Sequence, residues 1–307
     1  MEDLIKKAID EISKKYEHVT KRSHFVKQEY LMKWSGNNKN ILVSINSCDF
    51  KKDTPRNICN EKYMYKLEEF TKEEMAFLKH IYSLTPEPVK TVNDSFLNEW
   101  QLCCSLAKQA ENSKNSELFK KMLVQTGENL QSSYESAYSK TIQDDLRNCK
   151  EDFLNDYNEK LNFAIFLFSQ YLRTQKMKKR IIKNYESFSE EIKQSFKAKP
   201  DKLWKAMITI LTNAASYTML IKENVHIKFI KNSSKSFLTS DQPIINIGKV
   251  NNNEDQFYFP ISPEIAIIFP SEKNEVIIDD KDIIDKYNQV MKLESERFVI
   301  KYYDRNS

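Results

Sequence analysis

Glycine is scarce in this chain. Gly36, Gly127 and Gly248 are the only three in 307 residues, and no two of them lie close together. A phosphate-cradling P-loop, a dinucleotide fingerprint and a nucleophile elbow all need clustered glycine, because backbone amides must approach the ligand with no Cβ in the way. All three are excluded, and no nucleotide cofactor is expected. Cysteine offers as little. Cys48, Cys59, Cys103, Cys104 and Cys149 are odd in number and include no Cys-x-x-Cys pair. That predicts neither a disulfide framework nor a structural zinc site. Histidine is limited to His18, His24, His80 and His226, with no two at a helical metal-ligating spacing. Long apolar runs are missing as well. The longest, "FAIFLF" at 163–168, is far short of the roughly 20 residues that span a bilayer. The start, "MEDLIKKAIDEISKKYE", mixes acidic and basic residues throughout and predicts no secretory leader. The expectation is a cytoplasmic protein without a membrane partner.

What is present is a balanced, core-rich composition. Hydrophobic residues make up 40% and charged residues 30%, with 48 basic against 44 acidic side chains. Such a chain can bury a sizeable core. At a net charge of +4 it is no polycation, so any grip on nucleic acid must come from a local patch.

The pattern along the chain predicts one α+β domain over residues 1–307. A helix is expected over 2–16, then a strand at "ILVSI" (41–45) after the turn signal Gly36-Asn37-Asn38. Residues 71–221 read as a helical block, with Pro86, Pro88 and Pro200 at helix boundaries. Within it, 162–185 reads as one central helix that enters the core at its start and leaves it at its basic end. Residues 201–221 read as a second core helix, capped by Asp201 or started by Pro200. After Val225 the apolar period changes from 3.6 to 2, and short strands follow over 225–279. A closing helix is expected over 281–305. One mostly antiparallel sheet would then join the N-terminal strand to the C-terminal cluster, with the helical block packed against it.

Three segments carry polar residues in suggestive places. In "SHFVKQEYLMKW", a helical reading turns His24 and Gln28 the same way, with Phe25, Tyr30, Leu31 and Trp34 as an apolar anchor. A hydrogen-bonded histidine at a turn is the plainer alternative. In "SQYLRTQKMKKRIIK", Gln170 and Arg173 share a helix face, and Lys176, Lys178, Lys179, Arg180 and Lys183 form the densest basic run. Arg173 there suits bidentate binding of phosphate or carboxylate, and the run suits a nucleic-acid backbone. A solvated helix face is the plainer reading of the lysines. Arg173 directly follows the apolar segment, and a buried Arg needs an acidic partner. In "SFLTSDQPIIN", Asp241 sits where an apolar strand meets Pro243, and is the expected partner. Alternatively Asp241 caps backbone amides in a turn. The pairs Asp144-Asp145, Glu151-Asp152, Glu190-Glu191 and Asp279-Asp280 read as solvated faces, and His226 as a strand residue pointing away from the core.

Four segments, "HFVKQEYLMKW", "SQYLRTQKMKKR", "FLTSDQPIIN" and "FYFPISPEIAIIFP", occur in an order and spacing that resemble the bacterial family catalogued as domain of unknown function 4238. The closing "KYNQVMKLESERFVIKY" is similar to that family's last helix, with Asn288 at its polar position. The resemblance implies that His24, Gln28, Gln170, Arg173, Ser240, Asp241 and Pro243 are signature positions. Where the family pattern has Pro before the Gln, this chain has Lys27. Polar signature residues from three distant segments are most simply explained by one shared site.

The first function expected of such a site is a nuclease or phosphodiesterase on RNA or DNA, of the kind found in toxin or anti-phage modules. His24 acts as base or acid, and Asp241 orients it or holds a divalent metal, Mg or Mn. Arg173 clamps phosphate, Gln28, Gln170 and Ser240 position it, and Lys176, Lys179 and Arg180 hold the backbone. The alternative is a non-enzymatic binding or regulatory subunit of such a module, with a partner protein from the same operon and a structural Arg173–Asp241 pair. A Ser240 nucleophile is disfavoured, because neighbouring strand residues point to opposite faces and no glycine supplies an oxyanion nest.

Overall fold

The computed structural model describes residues 20, 22–36, 39–111, 115–183, 188–248 and 255–303. The helix expected over 2–16, and His18, lie outside the described residues. The chain opens with a short strand, β1 (Arg22–His24), and a brief helix, α1 (Gln28–Met32). Strands β2 (Ile41–Ile45), β3 (Lys51–Asp53) and β4 (Asn60–Lys62) follow. The helical stretch contains α2 (Lys72–Ile81), α3 (Glu87–Gln109), α4 (Ser116–Ser136), α5 (Lys140–Arg147), α6 (Tyr157–Leu172), α7 (Gln175–Lys183), α8 (Glu190–Ala198) and α9 (Pro200–Ile221). Then come β5 (His226–Lys231), β6 (Thr239–Ser240), β7 (Ile245–Asn246), β8 (Phe257–Pro260), β9 (Ile265–Ser271) and β10 (Glu275–Ile278). The chain closes with α10 (Lys281–Glu294) and β11 (Phe298–Lys301). The class is α+β, as the periodicity predicts.

Two compact units divide the chain. The first takes the residues up to Ser23, with Glu61–Tyr134 and Ile182–Ala214. It is helical, and polar groups set its helix starts and joints. Thr71 and Glu74 form a reciprocal capping box at the start of α2. Lys202 pairs with the buried Glu74 at 2.5 Å. Gly127 in α4 is required by close approach: a Cβ there would lie 1.8 Å from the Tyr65 carbonyl oxygen.

The second unit takes His24–Asn60, Glu135–Ile181 and Ala215–Ser307. It holds two larger sheets where one was expected. A five-stranded sheet runs β10-β5-β9-β8-β7, and a four-stranded sheet runs β3-β2-β11-β6. All their pairings are antiparallel except β10 with β5. Both faces of the five-stranded sheet are covered, which is why β8 and β9 read as nearly unbroken apolar runs. Phe163 and Phe168 of α6 meet Phe269 and Phe257 at centroid distances of 5.0 and 5.3 Å. On the opposite face Tyr258 stacks on Tyr287 of α10 at 4.5 Å. Each such ring contributes about 2–3 kcal/mol on burial, so α6 and α10 are held firmly on the sheet.

Three local expectations are corrected. The stretch 162–185 is not one helix. It breaks after Leu172, Arg173 leaves helical geometry at φ −79°, ψ 4°, and the Thr174 hydroxyl accepts from the Met177 amide at 3.3 Å to start α7. The closing helix stops at Glu294, and "FVIK" pairs between β2 and β6 as a strand. Its β-branched run suits a pleated surface better than a helix. His24 ends a strand, so it shares no helix face with Gln28, which opens α1. Among the described residues no helix is long and apolar enough to cross a membrane.

Candidate functional site

The predicted site residues all belong to the second unit, except that the basic run continues into Lys183. The stretch around α1 is fixed by its aromatics. Trp34 donates its indole N–H to the Phe237 carbonyl at 2.9 Å. The Tyr30 hydroxyl donates to the Pro260 carbonyl at 2.7 Å and bonds Thr239 Oγ1 at 2.6 Å. Since Tyr30 has a single proton, Thr239 supplies the one between them. Lys27 takes φ −52° and ψ 126°, the backbone that proline imposes. A proline could follow the same path here, and the lysine keeps an N–H that donates to Gln170 Oε1 at 3.3 Å.

His24 is half-buried, with its Nε2 shielded from solvent. Burial is the main cause that lowers its pKa below 6.5, against the raising effect of hydrogen bonds to the Arg56 and Pro55 backbone and of Glu135. Arg173 adds to the lowering. The imidazole is neutral at pH 7. Gln28 is half-buried at the start of α1.

Arg173 is 1% exposed. Its guanidinium meets Glu135 Oε1 at 2.6 Å and Gln170 Oε1 at 2.5 Å. The Gln170 amide in turn donates to the Phe25 carbonyl at 2.8 Å. Gln170 and Arg173 thus act together, as their spacing predicts, but the carboxylate is Glu135 from the end of α4, not Asp241. Glu135 carries no local signature, because the contact depends on where α4 ends in space.

Asp241 is 3% exposed and its two oxygens are held by backbone. Oδ1 accepts from the Glu296 amide at 2.9 Å, and Oδ2 accepts from Arg297 and Phe298 at 2.7 and 3.1 Å. The carboxylate cradles the turn that leads α10 into β11. Burial is the largest influence on it and raises its pKa, while the three amides oppose that rise. Ser240 is fully buried, and its Oγ accepts from the Gln242 amide at 3.0 Å. Among the described residues, no group of three His, Cys, Asp or Glu side chains is placed to share a metal ion.

The segments of Arg173 and Asp241 do meet, through neighbours that the sequence reading left out. Thr174 donates to Gln242 Oε1, and Gln242 donates to the Tyr171 and Ile244 carbonyls at 3.3 and 2.7 Å. Asn288 works similarly on α10. It accepts from the Leu238 amide at 2.9 Å and donates to the Ser236 carbonyl at 3.0 Å, holding the segment that leads into β6.

Three cations of the basic run pair with two acids at the end of α10 and just beyond it. Lys176 and Arg180 pair with Glu294 at 3.7 and 2.5 Å, and Lys179 pairs with Glu296. The acidic residue Glu151, expected on a solvated face, instead binds the His226 ring at 2.8 Å and the Ile227 amide at 2.6 Å. Its carboxylate is only 17% exposed, and His226 joins it at the sheet rim.

One family model matches the chain, over residues 22–304. No curated protein and no solved structure matches it. The chain belongs to the family described as protein of unknown function (DUF4238).

Proposed function

Taking that membership as the premise, we propose that this protein works by binding, as a non-enzymatic regulatory or partner-binding component in the cytoplasm, and that the Arg173 and Asp241 networks are its scaffold. The carrying observation is that both charges are withdrawn from water and held by the protein itself, through Glu135 and Gln170 for one and three backbone amides for the other. A group that must grip substrate has to reach it, and these two are closed to solvent at 1% and 3% exposure. The partner fitting this reading is a protein encoded beside it.

A phosphodiesterase reading keeps one supporting feature: His24, neutral at pH 7, lies in the field of Glu135 and Arg173. There Asp241 with Mg or Mn would complete the centre, and the α7 cations would have to leave Glu294 and Glu296 to hold a nucleic-acid backbone. The deciding experiment is a gel assay of the full chain on RNA and DNA with Mg²⁺ or Mn²⁺, beside His24→Gln checked for folding by circular dichroism. The binding reading expects no cleavage by the wild type. Wild-type cleavage that disappears in a folded His24→Gln protein overturns it.

A further inference from the structure

A cavity of about 370 Å³ opens in the second unit, between α1, α5 and the loop that joins β8 to β9. That size falls in the range of small-molecule sites. Three cations line it, Lys33, Arg147 and Lys235, against a single carboxylate, Glu264. The three differ in how they are satisfied. Lys235 pairs with Glu264 at 3.4 Å, and its ammonium lies 5.0 Å from the Tyr302 ring centroid. Arg147 pairs loosely with Asp144 at 3.5 Å, with both side chains well exposed. Lys33 has no carboxylate within ion-pairing distance among the described residues. Its ammonium sits 5.5 Å from the centroid of Tyr138.

Tyr138 holds that geometry. Its ring is buried and stacks on Phe166 at 4.2 Å and 14°. Burial pushes its pKa up, so it remains a neutral phenol and offers Lys33 no negative charge. Gly36 closes the wall beside it, since a Cβ there would lie 2.5 Å from the Tyr303 carbonyl oxygen. The Lys33 ammonium is therefore partly withdrawn from water, set against a ring face and, among the described residues, without a paired carboxylate. Burial, with Arg147 and Lys27 as neighbouring positive charges, lowers its pKa to about 8. A cation kept in this state is disfavoured unless an anion joins it.

We propose that this cavity binds a small phosphate monoester, with the dianionic head on Lys33 and Arg147 and the body against Tyr302 and Pro263. Lys33 and the loosely paired Arg147 together match a dianion better than a monocarboxylate. The site is independent of whether the protein cleaves phosphodiesters, because none of its cations belongs to the Arg173 or Asp241 network.

Titration calorimetry on the full chain tests this with ribose 5-phosphate, neutral ribose and gluconate. Ribose 5-phosphate should bind, ribose should not, and gluconate should bind at least tenfold more weakly. Lys33→Met should weaken the phosphate ester by tenfold or more, while Lys33→Arg keeps it within a few fold. A second measurement needs no variant: ribose 5-phosphate should protect Lys33 of the wild type from amine acylation, read by peptide mass spectrometry. No binding of ribose 5-phosphate or of inorganic phosphate overturns the site. Equal binding of gluconate overturns the phosphate assignment, and unchanged acylation of Lys33 overturns its role.

Discussion

Arg173 and Lys33 are two cations of the same unit, both drawn away from water, and their surroundings are opposite. Arg173 is enclosed by Glu135 and by Gln170, which the Phe25 carbonyl and the Lys27 amide hold in place. Lys33 faces an open cavity with an aromatic ring under it, and among the described residues no carboxylate pairs with it. A buried charge with its partners in place is a joint, and removing one partner is expensive. A partly buried charge without a partner costs stability, and persists where a ligand offsets that cost. Burial alone does not separate a structural charge from a functional one; its hydrogen-bond partners do.

The largest effect is expected at the joint on the Asp241 side. Asp241→Ala leaves three amides of the α10–β11 turn without their acceptor, and should cost about 4 kcal/mol at 1–2 kcal/mol per amide. Urea unfolding monitored by circular dichroism measures it, and a loss below about 1 kcal/mol would show that the turn does not depend on this carboxylate. Glu135→Ala comes next. It strands the Arg173 guanidinium, but Glu135 is 23% exposed and water can enter, so the expected loss is about 3 kcal/mol. A matched Glu135→Leu/Arg173→Met pair should recover most of that loss, which a purely attractive ion pair would not allow.

Lys33→Met has the opposite sign. The folded pKa of Lys33 is depressed from 10.5 to about 8. Between those values the unfolded chain binds more protons than the folded one, so stability rises with pH across that window. Below it, the folded state bears the whole penalty of a charged Lys33. The substitution should therefore stabilise the protein at pH 7 by about 2 kcal/mol, with the gain shrinking between about pH 8 and 10.5. Paired urea titrations of wild type and variant at pH 7 and pH 10 follow it. A destabilised variant at pH 7 would place Lys33 with Arg173 as a structural cation and erase the contrast.

Much of the architecture is legible in the sequence. The period change after Val225 marks the strand cluster, and the clustered prolines and caps mark helix starts such as α9 at Pro200. The doubly buried strands β8 and β9 announce themselves as continuous apolar runs. Two departures from the simple periodic pattern carry local signals. Thr174 before Gln175 is a helix N-cap that splits the central helix, and "FVIK" after Ser295 is a β-branched run bounded by polar residues. The partners of the charged residues are another matter, because no local pattern carries them.

By itself the sequence determined the α+β class and the order of its helical and strand-rich stretches, and that it carries no glycine-built phosphate loop, because both depend on residues close together in the chain. Tertiary structure alone decided what each buried charge does. Glu135 reaches Arg173 from 38 residues away, and the amides that hold Asp241 come from 55 to 57 residues away. Periodicity reports which face of an element is buried, whereas pairing depends on which two faces meet. Lys33 is the converse case: what marks it is that no described carboxylate pairs with it, and that is a property of the folded surroundings.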